Sequence, residues 1–211
     1  MASLRPIDHA QEQINTTFLY KHFYQDIFPG STMVTAKEMQ LRGCDVEVPA
    51  GRSTCYHDIK TQASKKYINN PLPTFAMEVL FDSSGQERTG WFVRNDLLTD
   101  VYCLCWIPKA KVNADGYLDS DDDIEEMEVM LIDKQRLVNY VSKIVPQNRL
   151  IGLAQHMRET NTKRLEVSSG LHMIYSDFLA ERPVNLVIKK FLLEKLATSH
   201  WKVTPNGAIK I

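Results

Sequence analysis

Residues 43–62 read Gly43-Cys44-Asp45-Val46-Glu47-Val48-Pro49-Ala50-Gly51-Arg52-Ser53-Thr54-Cys55-Tyr56-His57-Asp58-Ile59-Lys60-Thr61-Gln62. Asp45 to Val48 alternates charge with valine, the period-two pattern of a strand with one buried face. Pro49-Ala50-Gly51 supplies turn chemistry, and Thr54–Thr61 is a second extended run, so the two strands form a hairpin around Pro49–Ser53. On the second strand Asp58 and Lys60 point to one side, with His57 and Ile59 on the other. Antiparallel pairing across so short a turn brings Asp45 near Asp58.

Outward from the hairpin the elements alternate. Upstream, residues 8–27 form a helix, because Ile7, Ile14, Phe18, Leu19, Phe23 and Ile27 recur at three-to-four spacing before Pro29-Gly30. A short strand follows at Met33–Thr35. Downstream, Asn69–Pro73 is a loop, Thr74–Asp82 a strand, and Ser83-Ser84-Gly85 a turn into Glu87–Val93. Val101–Ile107 is almost continuously apolar, which predicts a central strand buried on both faces.

Residues 112–133 carry nine acids and no base, and read as a solvated acidic loop; Gly116 precedes the aspartates, so they miss the calcium-loop spacing. Met127–Ile132 returns as a strand or short helix, and Asp133 caps a helix to Lys143. Two further helices are expected at Arg149–Thr160 and Asn185–Thr198. The expected fold is α/β (α+β). It has a core at 1–111, an acidic insert at 112–133, and a helical C-terminal region at 134–211 packing on the core.

Composition narrows the function. The 211 residues are 44% hydrophobic and 24% charged with a formal net charge of −1. These values exclude a disordered chain, a coiled coil, a fibre and a uniformly basic polyanion binder. No apolar run reaches the roughly 20 residues that cross a bilayer, and Arg5, Asp8, Glu12 and Lys21 interrupt any signal peptide. The chain reads as soluble and cytoplasmic. Cys44, Cys55, Cys103 and Cys105 read as core thiols of a reducing compartment. The histidines make no HExxH pair and the 9 glycines no phosphate loop, which excludes nucleotide hydrolysis by that route.

Two converging carboxylates are costly without a cation between them. Asp45 and Asp58 therefore make a seat for Mg²⁺, and Lys60 beside it orients or deprotonates water or neutralises developing phosphate charge. The bland alternative is a surface hairpin with a same-face Asp58–Lys60 pair worth under about 1 kcal/mol.

Together, the helix with Glu12, Gly43-Cys44-Asp45-Val46 and His57-Asp58-Ile59-Lys60-Thr61-Gln62 resemble the PD-(D/E)xK nuclease superfamily, the restriction-endonuclease-like fold, over residues 8–108. Two features depart from its commoner pattern: Cys44 stands before the acid in place of proline, and Asp58 stands in place of glutamate. Residues 67–78 and the segments Gly90-Trp91-Phe92 and Thr99-Asp100-Val101-Tyr102 are similar to uncharacterised bacterial members of that superfamily.

The resemblance implies a mixed central sheet flanked by helices. It implies a nuclease that hydrolyses DNA with Mg²⁺ or Mn²⁺ held by Asp45, Asp58, the Ile59 main-chain carbonyl and Glu12. Lys60 assists the water, and Gln62 projects into the same cleft. DNA is the implied partner, no membrane is involved, and a homodimer is left open. The rival expectation is a non-catalytic protein of the same fold that serves as a binding or assembly subunit.

Lys65, Lys66 and Tyr67 follow the site and are expected to grip phosphate and stack on a base. Glu47 shares the Asp45 strand face and reads as an outward acid, while Glu78 interrupts an apolar strand and either approaches the site or meets a base. Lys189, Lys190, Lys195, Lys202 and Lys210, with Trp201, form a second basic region, turned away from residues 112–133 if it contacts nucleic acid.

Overall fold

The structure, a computed structural model, describes residues 5–211. Helix α1 (Arg5–Leu19) continues through a π-helical turn (Tyr20–Tyr24) into α2 (Gln25–Ile27). Strand β1 (Thr32–Met33) and helix α3 (Lys37–Leu41) lead to the hairpin β2 (Val46–Ala50) and β3 (Ser53–Thr61). Next come β4 (Thr74–Ser83), β5 (Gln86–Thr89), a 3₁₀ turn (Trp91–Val93) and β6 (Val101–Ala110). A second 3₁₀ turn (Asp121–Asp123) enters β7 (Ile124–Asp133), followed by α4 (Lys134–Ile144) and α5 (Gln147–Glu159). The chain closes with β8 (Arg164–Ser168), β9 (Leu171–Tyr175), β10 (Val184–Lys189), α6 (Lys190–Leu196), β11 (Ser199–Thr204) and β12 (Gly207–Lys210). The fold is mixed α/β.

The elements sort into two compact units, each gathered from separated segments. Of the described residues, the first holds 5–72 with Leu98–Lys134 and Leu196–Ile211; the second holds Pro73–Leu97 and Gln135–Lys195. This division cuts across the successive segments 1–111, 112–133 and 134–211 read from the sequence. The reason lies in β7. Ile124, Met127, Val129, Met130 and Ile132 are fully buried at 0% exposure, so residues 124–133 are a core strand and only 112–123 remain a loop. Its acids meet bases on the neighbouring strands: Glu125 pairs with Lys109 at 2.7 Å, Glu126 with Lys202, and Glu128 with His200 at 2.6 Å.

The first unit is built on a sheet of order β1-β2-β3-β6-β7-β11-β12. Every step is antiparallel except β3–β6, where Asp58 is in register with Tyr102 and Ile59 with Cys103. Parallel neighbours need a crossover, and the excursion between Thr61 and Val101 provides it. Strand β6 is buried on both faces as its apolar run predicts, Tyr102 to Ile107 all standing at 0% exposure. On one face Val46, Val48, Ile59, Cys103, Cys105, Val129 and Leu131 pack under Phe18, Leu19, Phe23 and Tyr24.

The second unit is an antiparallel sheet of order β5-β4-β10-β9-β8 with α5 against β4, β9 and β10. Residues 185–198, expected as one helix, divide into strand β10 and the short helix α6. Leu186 and Ile188 satisfy a period of two as readily as a helical one, and β10 gains two hydrogen-bonded neighbours by extending. The C-terminal third is therefore as much strand as helix. Glu78 lies on β4, where a Cβ on Gly90 would fall 2.3 Å from its carbonyl oxygen, so only glycine fits that approach. Among the described residues no helix is long and apolar enough to cross a membrane.

Candidate active site at the fork of the hairpin

Strands β2 and β3 part just beyond the Val46–His57 pair. There the Asp45 N–H donates to the His57 carbonyl at 2.9 Å, and the next inward-facing amide of β3, Ile59 N–H, donates to Asp45 Oδ2 at 2.7 Å. A side-chain carboxylate thus takes the place of a strand partner. Because the N–H and C=O of one strand residue face the same edge, the Ile59 carbonyl points to the side where Asp45 stands. The turn before Asp45 is held by Thr99 Oγ1, which donates to the Gly43 carbonyl at 2.8 Å.

Asp58 is the next residue of β3 and is 1% exposed. Lys60 Nζ donates to its Oδ1 at 2.6 Å, while Oδ2 is buried with no hydrogen-bond partner. Burial pushes the Asp45 carboxyl up to about 7; Lys60 pulls against this, and Asp58, close enough to share a proton with it, adds to the rise. Burial opposes the Lys60 ammonium, yet Asp58 and Asp45 outweigh it and hold Lys60 above its ordinary value. Lys60 is therefore a cation at neutral pH. Cys44 is pushed up to about 12, by burial first and then by Glu47, Asp45, Asp58 and Asp100. A cysteine in that field is a packing residue.

The other predicted residues are less tightly gathered. Glu12 lies on α1 with an exposed side chain 3.9 Å from His9, and its charge helps to raise Lys60. Gln62, expected in the cleft, turns its Oε1 to accept from the Leu72 N–H at 3.0 Å and ties down the following loop. Lys65 stands over the Tyr117 ring at 5.3 Å, Lys66 is exposed, and the Tyr67 N–H donates to the Ser64 carbonyl at 2.7 Å. In the C-terminal basic region, Lys202 and His200 are bound to Glu126 and Glu128, and Lys210 lies over Trp201 at 5.9 Å. Lys202 and His200 thus neutralise Glu126 and Glu128 of β7, so these two bases of the region lie beside the acidic segment.

Sequence reasoning missed three residues that shape the fork: Thr99, Tyr102 and Tyr24. Tyr102 lies directly across from Asp58, and its phenol is raised by burial and by that carboxylate. Tyr24 pairs with His57, Oη to Nδ1 at 3.1 Å. No spacing pattern marks either contact.

Among the described residues no group of three or more His, Cys, Asp and Glu could hold a metal ion. What the fork offers is two carboxylates and a main-chain carbonyl edge. That set suits Mg²⁺, which keeps several waters and is bound through one or two carboxylates. The buried Asp58 Oδ2 is an acceptor without a donor, and a hard cation would satisfy it.

Comparison with known proteins brings no counterpart: no family model matches the chain, and no characterised protein or solved structure matches it significantly.

Proposed function

We propose that the protein is a Mg²⁺-dependent nuclease, with Mn²⁺ as a substitute ion, that hydrolyses DNA phosphodiester bonds at the fork. One observation carries the reading: Asp45 and Asp58 converge at the parting of β2 and β3, with Lys60 on one Asp58 oxygen and the other oxygen buried without a partner. Asp45 and Asp58 would hold the ion. When bound, it supplies Lewis-acid charge and a water of lowered pKa.

The protein groups do the rest. Lys60 stays protonated, so it acts by charge and by donating hydrogen bonds, orienting the attacking water and neutralising the phosphate as the P–O bond to the leaving oxygen breaks. With Lys60 held as a cation by Asp58, the proton lost by the water would pass to solvent, and solvent would protonate the leaving oxygen. Asp45 holds the Ile59 amide and so keeps its carboxylate aimed at the fork. Lys66 and Tyr67, on the loop after β3, supply a charge and a ring for the DNA strand.

One observation favours the second reading, a non-catalytic binding or assembly subunit: Lys60 already occupies Asp58 Oδ1 as an ion pair, and among the described residues no group of three or more His, Cys, Asp and Glu could hold a metal ion. Incubation with plasmid and single-stranded DNA, with Mg²⁺ or Mn²⁺ and then with EDTA, separates the two. Metal-dependent cleavage should fall by about 10²–10³-fold in Asp58→Asn and Lys60→Ala, the scale of losing one transition-state contact. Cleavage indifferent to both substitutions, or none with either metal, sinks the nuclease.

A further inference from the structure

The strongest unassigned feature beside the fork is the buried pair of Tyr24 and His57. Tyr24 ends the π-helical turn and is 0% exposed; His57 is 3% exposed. In that turn the Gln25 N–H donates to the Tyr20 carbonyl, an i→i+5 bond that widens the helix by one residue. Buried positions Asn15 and Leu19 are one α-helical turn apart, and the wider turn then brings Tyr24, five residues after Leu19, onto the same face. The turn is thus a local irregularity that aims one hydroxyl.

That hydroxyl meets His57 Nδ1 at 3.1 Å, and the imidazole is flanked edge-on by the rings of Tyr24 and Phe28, each 5.6 Å away. His57 is the last β3 residue in register with β2. Its carbonyl accepts the Asp45 N–H, and the next residue is Asp58. The residue that sets where the strands part therefore touches the backbone of one acid and precedes the other.

We infer that Tyr24 and His57 are positioning residues: the phenol–imidazole hydrogen bond locks the fork and so fixes the Asp45 carboxylate on the Ile59 amide beside Asp58. Its bearing on catalysis rests on the nuclease reading; its bearing on geometry does not. Groups hydrogen-bonded directly to metal-ligating side chains change metal affinity or activity by about 10–100-fold when removed; Tyr24 acts one step further out, through His57 and its main-chain carbonyl.

The test uses Tyr24→Phe, which keeps the ring and loses the hydroxyl, and Phe28→Leu, which loosens the packing of His57 and leaves the hydrogen bond. Amide hydrogen exchange is read at Ile59, with Asp58 and Lys60, whose amides face the opposite edge of β3, as internal references. Tyr24→Phe should speed exchange at Ile59 by tenfold or more relative to those references, and Phe28→Leu should leave that ratio unchanged. In the DNA cleavage assay, Tyr24→Phe should lower kcat by tenfold or more with KM for DNA unchanged. A uniform rise along β3, an equal response to both substitutions, or an unchanged Ile59 overturns the inference. If the wild type cleaves nothing, the nuclease reading falls, and the exchange ratio still decides the positioning role.

Discussion

His57 and Asp45 are backbone neighbours across the hairpin, yet burial drives their titrations in opposite directions. Burial lowers His57 to about 4, so the folded chain keeps it neutral where the unfolded chain binds a proton; this contribution to stability is present above about 6.5 and is lost as pH falls towards 4. Burial raises the Asp45 carboxyl to about 7, so the folded chain retains a proton that the unfolded chain gives up near 4. That contribution is full below pH 4 and is lost as pH rises to 7. In metal-free solution the stability of wild type relative to Asp45→Asn should therefore decline between pH 4 and 7, by up to about 4 kcal/mol. Urea unfolding in EDTA at stepped pH measures it, and parallel profiles would contradict the assigned burial. Mg²⁺ at pH 7 should recover part of the loss, because it binds the ionised carboxylate. Asp58 and Lys60 were legible as a same-side pair from strand alternation alone. The Tyr24 hydroxyl was not, because it arrives from a helix through a widened turn whose sequence, Tyr20 to Tyr24, carries no distinctive spacing.

At the scale of the element, β7 shows how charge can disguise a core strand. Its acids made residues 112–133 read as a solvated insert, although Met127–Ile132 within it read as a strand or short helix; the strand pairs its acids with bases of the neighbouring strands while Met127, Val129 and Leu131 enter the core. Met127→Ala should cost about 2–5 kcal/mol, as expected for emptying a fully buried site. Glu125→Ala removes an exposed partner of Lys109 and should leave the unfolding midpoint nearly unchanged. Chemical denaturation of the two variants distinguishes a strand from a loop: equal, small effects would return the segment to the surface. The hairpin, the β6 strand and the helices at 134–144 and 147–159 follow from short-range periodicity and turn residues. Strand β10 does not, since its apolar spacing fits either a strand or a helix and the decision falls to β4 and β9.

For the whole molecule, the chain passes between the two units at Leu72–Pro73, Leu97–Leu98, Lys134–Gln135 and Lys195–Leu196. The unit that carries the fork is completed by the last residues of the chain. Strand β11 pairs with β7 from Ser199–Leu131 to Val203–Met127, and Val203 is fully buried there. A fragment ending at Asp133 would keep every candidate site residue and still leave the β7 edge and its apolar row uncovered. Such a fragment should give a poorly dispersed NMR spectrum and no cooperative unfolding; dispersion and a two-state transition would show that β11 and β12 are dispensable. What the sequence determined by itself is the local geometry: a hairpin with Asp45 and Asp58 at its fork, Lys60 two residues on, and a central strand to lie beside it. These follow because strand alternation and a short turn act over neighbouring residues, at little cost in loop closure. The tertiary structure alone decided that β11 returns to cover β7, that the acids of β7 meet Lys109, His200 and Lys202, and that Tyr24 reaches His57. Those pairings join residues far apart in the chain, and they are selected by which surfaces remain to be buried once the local elements exist.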